Sequence, residues 1–196
     1  MIQLNIRIYA FVILGVAFGT YIILFLATQD LNSIDFHKAL SHISTTITIN
    51  IILWLIFIKW AWKWRIFYPW LVPFPNLSGN WKGTVLSNWQ GQTQQEKPIE
   101  ISITQTFFNI QVRMKTDESR SYSVGASFDI DQDRGQQQLF YSYMNTPKAS
   151  VREKSEMHYG STVLNFEGFK VSKMEGDYWT SRETTGEIKL TRKNAA

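Results

Sequence analysis

The side chains best placed to do chemistry lie in two short stretches with a period of two. In LFYSYMNT, Leu139 shares a face with Tyr141, Tyr143 and Asn145; in DYWTSR, Tyr178, Thr180 and Arg182 fall together, with Trp179 and Ser181 opposite. Hydroxyl and amide groups converging between apolar walls are what a pocket needs to hold and orient a ligand. An arginine turned inward is costly unless it meets an anion or a stacked ring. Tyr141, Tyr143, Asn145, Thr162, Thr180 and Arg182 are therefore the ligand-binding candidates. The bland alternative is that the tyrosines fill an interior with satisfied hydroxyls and that Arg182 clasps Trp81.

Nothing comparable points to catalysis. His158 is the only histidine after residue 70, cysteine is absent, and there is no G-x-S-x-G, phosphate-binding glycine loop or His/Asp/Glu cluster with metal spacing. The chain is read as a non-enzyme without cofactor or metal. His37 and His42 lack a partner cluster and read as solvated loop residues.

Those stretches sit in a chain of two unlike halves. Residues 1–70 carry five Lys/Arg and two Asp; residues 71–196 carry fifteen Lys/Arg against fourteen Asp/Glu. A nearly neutral second half argues against duplex nucleic acid as a partner, because phosphate contacts need a basic face. The lack of cysteine excludes disulfides and is compatible with a reducing cytosol.

From Ile8 to Ala27 there are twenty residues without a charge, about 30 Å as a helix, which matches a hydrocarbon core. A cleaved signal peptide is the alternative, but the apolar run exceeds the usual ~7–15 residues and a second one follows. Gly15 and Gly19 form a G-x-x-x-G that lets helices approach closely. The second span is expected over 43–62, its first half rich in Ser, Thr and Asn50. Hydrocarbon penalises such groups unless they meet another helix, so Asn50 is read as an interhelical contact, either within one hairpin or between chains. The spans are expected to pack as a transmembrane hairpin over residues 1–70. Trp60, Trp62, Trp64, Phe67, Tyr68 and Trp70 then interleave with Lys59, Lys63 and Arg65, as a segment leaving a bilayer does. Cations flank the spans while the intervening loop holds one lysine and two aspartates, so both termini are expected in the cytoplasm.

Residues 71–196 read as β throughout. Eight alternating stretches begin near Trp81, Ile99, Asn109, Tyr122, Leu139, Thr162, Gly176 and Gly186, separated by turn residues. Eight antiparallel strands of this length favour a closed up-and-down, lipocalin-like β-barrel, with a two-sheet sandwich as the alternative. Trp81, Gly83 and Val85; Ile99, Ile101 and Ile103; Ile110, Val112 and Met114; Val124, Ala126, Phe128 and Ile130; and Ile188 and Leu190 are expected to face inward.

Gly79 and Trp81, within L-S-G-N-W-K-G, resemble the G-x-W opening of lipocalin-like calycin barrels, with the tryptophan closing one end. The order of features is more specific: two spans, an aromatic-basic exit, P-x-L-S-G-x-W-x-G, Y-x-N-x-P at Tyr143, Asn145 and Pro147, then G-D-Y-W-T-S-R and T-G-E-I-K-L-T-R. Over essentially its whole length the chain resembles the SMODS-associating two-transmembrane β-strand-rich effectors of bacterial CBASS antiphage systems.

The resemblance implies a bacterial inner-membrane, multi-pass protein. Its partner would be a cyclic oligonucleotide, a cyclic dinucleotide by expectation, made by a partner nucleotidyltransferase on phage infection. The cytosolic barrel would bind it and drive homo-oligomerisation through the spans, disrupting the bilayer and killing the cell. Bases would stack on Tyr141 or Tyr143, Asn145 and Thr180 would hydrogen-bond, and Arg182 would meet a phosphate. Two rival readings remain at this point: a membrane-tethered calycin binding a lipid or other apolar ligand, and an assembly protein using the barrel as a docking surface.

Overall fold

The computed structural model describes residues 5–28, 36–88, 95–131, 133–151 and 156–193. The chain divides into two compact units, one running to Val72 and the other beginning at Pro73.

The first unit holds α1 (Ile6–Thr28) and α2 (Phe36–Lys59), followed by single 3-10 turns at Ala61–Lys63 and Arg65–Phe67. Both helices are long and apolar enough to cross a membrane. Their hydroxyl and amide groups largely return to the helix's own carbonyls: Thr20 Oγ1 to Val16 O at 2.7 Å, Thr28 Oγ1 to Leu24 O at 2.8 Å, Thr48 Oγ1 to Ser44 O at 3.0 Å and Asn50 Nδ2 to Thr46 O at 2.8 Å. This is how an apolar helix tolerates polar side chains without exposing donors to lipid. The second helix departs from expectation at both ends. It starts at Phe36, inside the polar connection, and stops at Lys59, leaving Trp60–Trp62 outside it. His42 is consequently not a solvated loop residue: it is buried and its Nε2 lies 2.7 Å from Thr28 Oγ1, tying α2 to α1. At the exit, Lys59 and Lys63 sit over the rings of Trp60 and Trp62, and Phe67 packs edge-on against Phe57 at 5.1 Å.

The second unit is a closed barrel of eight antiparallel strands in sequential order. They are β1 (Gly79–Asn88), β2 (Gln95–Gln105), β3 (Ile110–Lys115), β4 (Ser119–Asp131), β5 (Gln136–Pro147), β6 (His158–Asn165), β7 (Lys173–Thr180) and β8 (Thr185–Arg192). Closure of β8 on β1 removes the edges a lone sheet would expose and sets aside the sandwich. The period-two reading of the interior holds at Ile99, Ile101, Ile103, Ile110, Val112, Phe128, Ile188 and Leu190, all buried. It fails at Val124, which is 71% exposed. A bulge between Ser123 and Gly125 inserts one residue, so Val124 leaves the face that Ala126 and Phe128 occupy.

One end of the barrel is sealed by aromatic rings and by the segment that enters it. Phe74 stacks on Phe128 at 5.3 Å, and Phe128 meets Phe166 edge-on at 5.9 Å. Trp81 is fully buried and donates from Nε1 to Leu77 O at 3.0 Å, while Gly79 two residues earlier takes φ +133°. The side chain clasping Trp81 is Arg192, its guanidinium carbon 5.2 Å from the ring, and not Arg182. Gln105 completes the seal: its Oε1 accepts from Leu77 N at 2.7 Å and its Nε2 donates to Pro75 O at 3.0 Å, both bonds buried. Gln105→Leu would strand one backbone donor and one acceptor, each costing about 1–3 kcal/mol. A loss of about 2 kcal/mol or more is expected in urea unfolding followed by tryptophan fluorescence, against little change for an exposed control such as Thr104→Val.

Candidate functional site

Away from the sealed end, the inward face turns polar. Strand β5 presents Leu139, Tyr141, Tyr143 and Asn145 in succession, every one buried. The alternation places Ser121 of β4, Thr162 of β6, Tyr178 of β7, Ser87 of β1 and Lys97 of β2 on the same interior, because Tyr141 pairs with Thr162, Thr162 with Tyr178 and Val85 with Lys97. The structure thus brings together four of the six expected ligand residues: Tyr141, Tyr143, Asn145 and Thr162.

The other two mark the end of β7, Thr180 as its last residue and Arg182 beyond it. Strand β7 ends at Thr180, and Arg182 stands in the turn that follows, so the alternation that grouped Arg182 with Tyr178 stops before reaching it. The turn is held by Thr180 itself, whose Oγ1 accepts from the backbone nitrogens of Arg182 at 3.2 Å and Thr184 at 3.3 Å. Glu183 completes it at φ 61°. Thr180 remains one strand from Tyr143, since both pair with Gly160.

Two glycines shape this end. A Cβ on Gly160 would lie 2.5 Å from Tyr143 Cζ, and one on Gly186 would lie 2.6 Å from Tyr178 Cε1. Each tyrosine ring therefore lies across a neighbouring glycine, against the wall. The rings of Tyr141 and Tyr143 are 6.0 Å apart at 47°.

Burial controls the electrostatics. It pushes the Tyr141 hydroxyl up to about 12, opposed by the Thr162 hydroxyl. Burial also raises Tyr143, reinforced by Tyr141 and Tyr178, and raises Tyr178, opposed by the Ser87 hydroxyl and the Lys97 ammonium. All three phenols stay neutral donors at physiological pH. Asn145 accepts from Ser121 Oγ through its Oδ1 at 2.9 Å, which occupies the amide oxygen and presents the NH2 group. Lys97 forms an ion pair with Glu118 at 2.9 Å with its side chain 44% exposed, placing a cation at the rim.

Two buried hydroxyls, Tyr141 OH and Thr162 Oγ1, face each other across β5 and β6 without a well-formed hydrogen bond. An unsatisfied buried polar group costs about 1–3 kcal/mol and calls for an explanation other than stability. No cluster of His, Asp or Glu that could hold a metal occurs among the described residues.

The interior thus offers aromatic rings, hydroxyls and an amide, with a lysine at its rim. Residues 72–192 match the family described as the Cap15 cyclic dinucleotide receptor domain. The chain belongs to that family. It is 31% identical over 150 residues to CD-NTase-associated protein 15 of Staphylococcus schleiferi, covering 76% of this chain and 78% of that protein. It is 29% identical over 164 residues to the protein of the same name from Escherichia albertii, covering 79% and 80%. A third, from Yersinia aleksiciae, is 33% identical over 120 residues, 60% of this chain and 55% of that one. The resemblance to CBASS effectors is thereby established, and Cap15 is a receptor and effector family rather than an enzyme family.

Spacing alone missed Lys97, Ser87, Ser121, Gly160 and Gly186 as parts of this Cap15 lumen. The usable signal for Lys97 was its place two residues before the Ile99–Ile101–Ile103 alternation. Replacing the orphaned pair together, Tyr141→Phe with Thr162→Val, is expected to leave barrel stability unchanged or raise it by about 1–3 kcal/mol in chemical unfolding. The same variant is expected to bind ligand more weakly, and unchanged affinity would remove these hydroxyls from the site.

Proposed function

We propose that the polar end of this barrel binds a cyclic dinucleotide made by a partner nucleotidyltransferase, and that binding drives the apolar helices of several chains together. The assembled helices disrupt the bacterial inner membrane, and the death of the infected cell limits the phage. The observation that carries this reading is the inward set Tyr141, Tyr143, Asn145 and Thr162, with neutral phenols, an oriented amide and Lys97 at the rim, in a chain of the Cap15 family. Bases stack on the tyrosines and hydrogen-bond to Asn145, and the phosphates meet cations at the rim, with Lys97 and, in the β7–β8 turn, Arg182 as the contacts. Arg182 and Thr180 stay in the proposal as rim residues, not as wall residues. No covalent chemistry is assigned to the chain.

Both termini are placed in the cytoplasm, since the cations flanking the helices exceed those between them. That location gives the barrel access to a cytosolic nucleotide. Chains confined to a bilayer are already concentrated, so a modest ligand-dependent preference for the assembled state suffices. Two features of the helical unit support assembly through it. A Cβ on Gly15 or Gly19 would meet nothing within 4 Å, so that face of α1 is not used in packing against α2. On α2, Thr46 Oγ1, Asn50 Oδ1 and Trp54 Nε1, spaced one turn apart, are buried without hydrogen-bond partners beside an open groove of about 390 Å3 shared with α1. Rearrangement of the hairpin would let these groups find partners on another chain.

A thermal-shift screen of cyclic di- and trinucleotides, with linear dinucleotides and fatty acids as controls, tests the sensor. A ligand at a hundred times its Kd adds about 2.7 kcal/mol. One cyclic dinucleotide alone is expected to stabilise the protein, and Tyr143→Ala and Arg182→Ala to lose that response. Stabilisation by fatty acids only would make the barrel a lipid binder. For the output step, Gly15→Leu with Gly19→Leu is expected to keep nucleotide binding and abolish toxicity in phage-infected cells; retained killing would exclude this face.

A further inference from the structure

The outer wall of the barrel carries a feature that nucleotide recognition in the lumen does not use. Outward side chains of β1, β3 and β4, with Lys193 just past β8, line a groove of about 360 Å3: Lys82, Arg113, Lys115, Arg120 and Lys193, together with Glu100 and Tyr122. The register explains the concentration. Lys82 pairs with Glu100, Glu100 with Lys115 and Lys115 with Arg120, so one cross-strand row reads plus, minus, plus, plus. Arg113 stands in the adjoining row, opposite Ser102 and Tyr122.

The single acid is already engaged, since Glu100 pairs with Lys82 at 3.4 Å. Among the described residues, Arg113, Lys115, Arg120 and Lys193 have no carboxylate within ion-pair distance. Lys115 and Arg120 directly oppose one another, a placement of like charges that destabilises a sheet unless an anion bridges them. Elsewhere the wall is mixed in sign: Glu175, Asp177 and Glu187 point outward on β7 and β8 beside Lys173 and Lys189, with Asp177 facing Glu187 and Lys189 pairing with Glu187 at 3.9 Å. The near-neutral total of this half thus conceals a barrel with one cationic side.

The chemistry that would settle on such a side is phosphate, carried by a lipid headgroup or by a free nucleotide. We infer that the β1–β4 wall docks on an anionic bilayer surface. The chain carries two helices of membrane-spanning length, and residues 60–78 join the second of them to β1, so the barrel is tethered by a short connection to any bilayer the helices enter. The cations spread along an open wall, as a planar charged surface requires, and Tyr122, 46% exposed, is the amphipathic ring that favours a headgroup region. The base-recognising groups, by contrast, are inside the barrel. Docking also touches the sensor, because Arg120 and Tyr122 flank Ser121, whose hydroxyl holds Asn145.

The test uses the full chain in nanodiscs of zwitterionic lipid or of zwitterionic lipid mixed with phosphatidylglycerol. Lysines are acetylated with a membrane-impermeant reagent and quantified by mass spectrometry. Lys82, Lys115 and Lys193 are expected to react several-fold more slowly in the anionic discs, whereas Lys173 and Lys189 on β7 and β8 react equally in both. The protection is expected to vanish at about 1 M salt, where the Debye length is about 3 Å. It is also expected to vanish in Arg113→Glu with Arg120→Glu, whose exposed positions leave the core intact and whose melting temperature checks the fold. Equal labelling in the two discs overturns the inference, as does equal protection of Lys173 and Lys189. Protection produced in zwitterionic discs by a cyclic dinucleotide overturns it too, since the groove would then be a nucleotide site. A failed nucleotide screen leaves this result untouched, so the two readings stand or fall separately.

Discussion

The Arg192 guanidinium holds the barrel shut. It stacks over Trp81 and donates to the carbonyls of Asn76 at 3.1 Å, Val171 at 3.4 Å and Ser78. One side chain thus joins the last strand, the loop before β7, the entering segment and the first tryptophan. Burial draws its pKa down, which is the desolvation cost of putting a cation there, but several carbonyls and a ring face replace the lost water. With Gln105 satisfying Leu77 and Pro75, the seal lets β1 lie beside β8 without an exposed edge.

A barrel sealed at one end by packed aromatics divides its interior by depth. The alternation along β5 runs from Leu139 to Asn145, so a single strand grades from apolar core to polar side chains. The hydroxyls of Tyr141 and Thr162 are the cost of that gradient: an all-apolar interior would be more stable and would recognise nothing polar. Gly160 and Gly186 have the complementary role, because only a missing Cβ lets the tyrosine rings lie against the wall.

The helical unit obeys a different solvent. In hydrocarbon the rule is that polar groups find partners within the protein, and most of the hydroxyls do so on their own helix. Thr46, Asn50 and Trp54 are exceptions aligned on one stripe, and the close-packing face at Gly15 and Gly19 is open. These groups and this face are the parts of the helical unit on which the proposed assembly rests.

The sequence by itself determined the two apolar helices, the eight strands and most of the interior. Apolar run length and period-two alternation are local quantities that burial imposes on neighbouring residues. Only the tertiary structure decided what depends on register and distant partners. The bulge at Ser123 and Gly125 turned Val124 outward, and no local pattern marks an inserted residue. Strand β7 ended two residues before Arg182, because Thr180 closes a turn with Thr184. The clasp over Trp81 fell to Arg192, more than a hundred positions away along the chain, since barrel closure alone brings β8 beside β1. His42 joined α2 to α1 because helix continuation outweighed the polarity of its surroundings. The cationic wall is legible only once β1 to β4 are laid side by side, since charge counted along residues 71–196 averages to nearly zero.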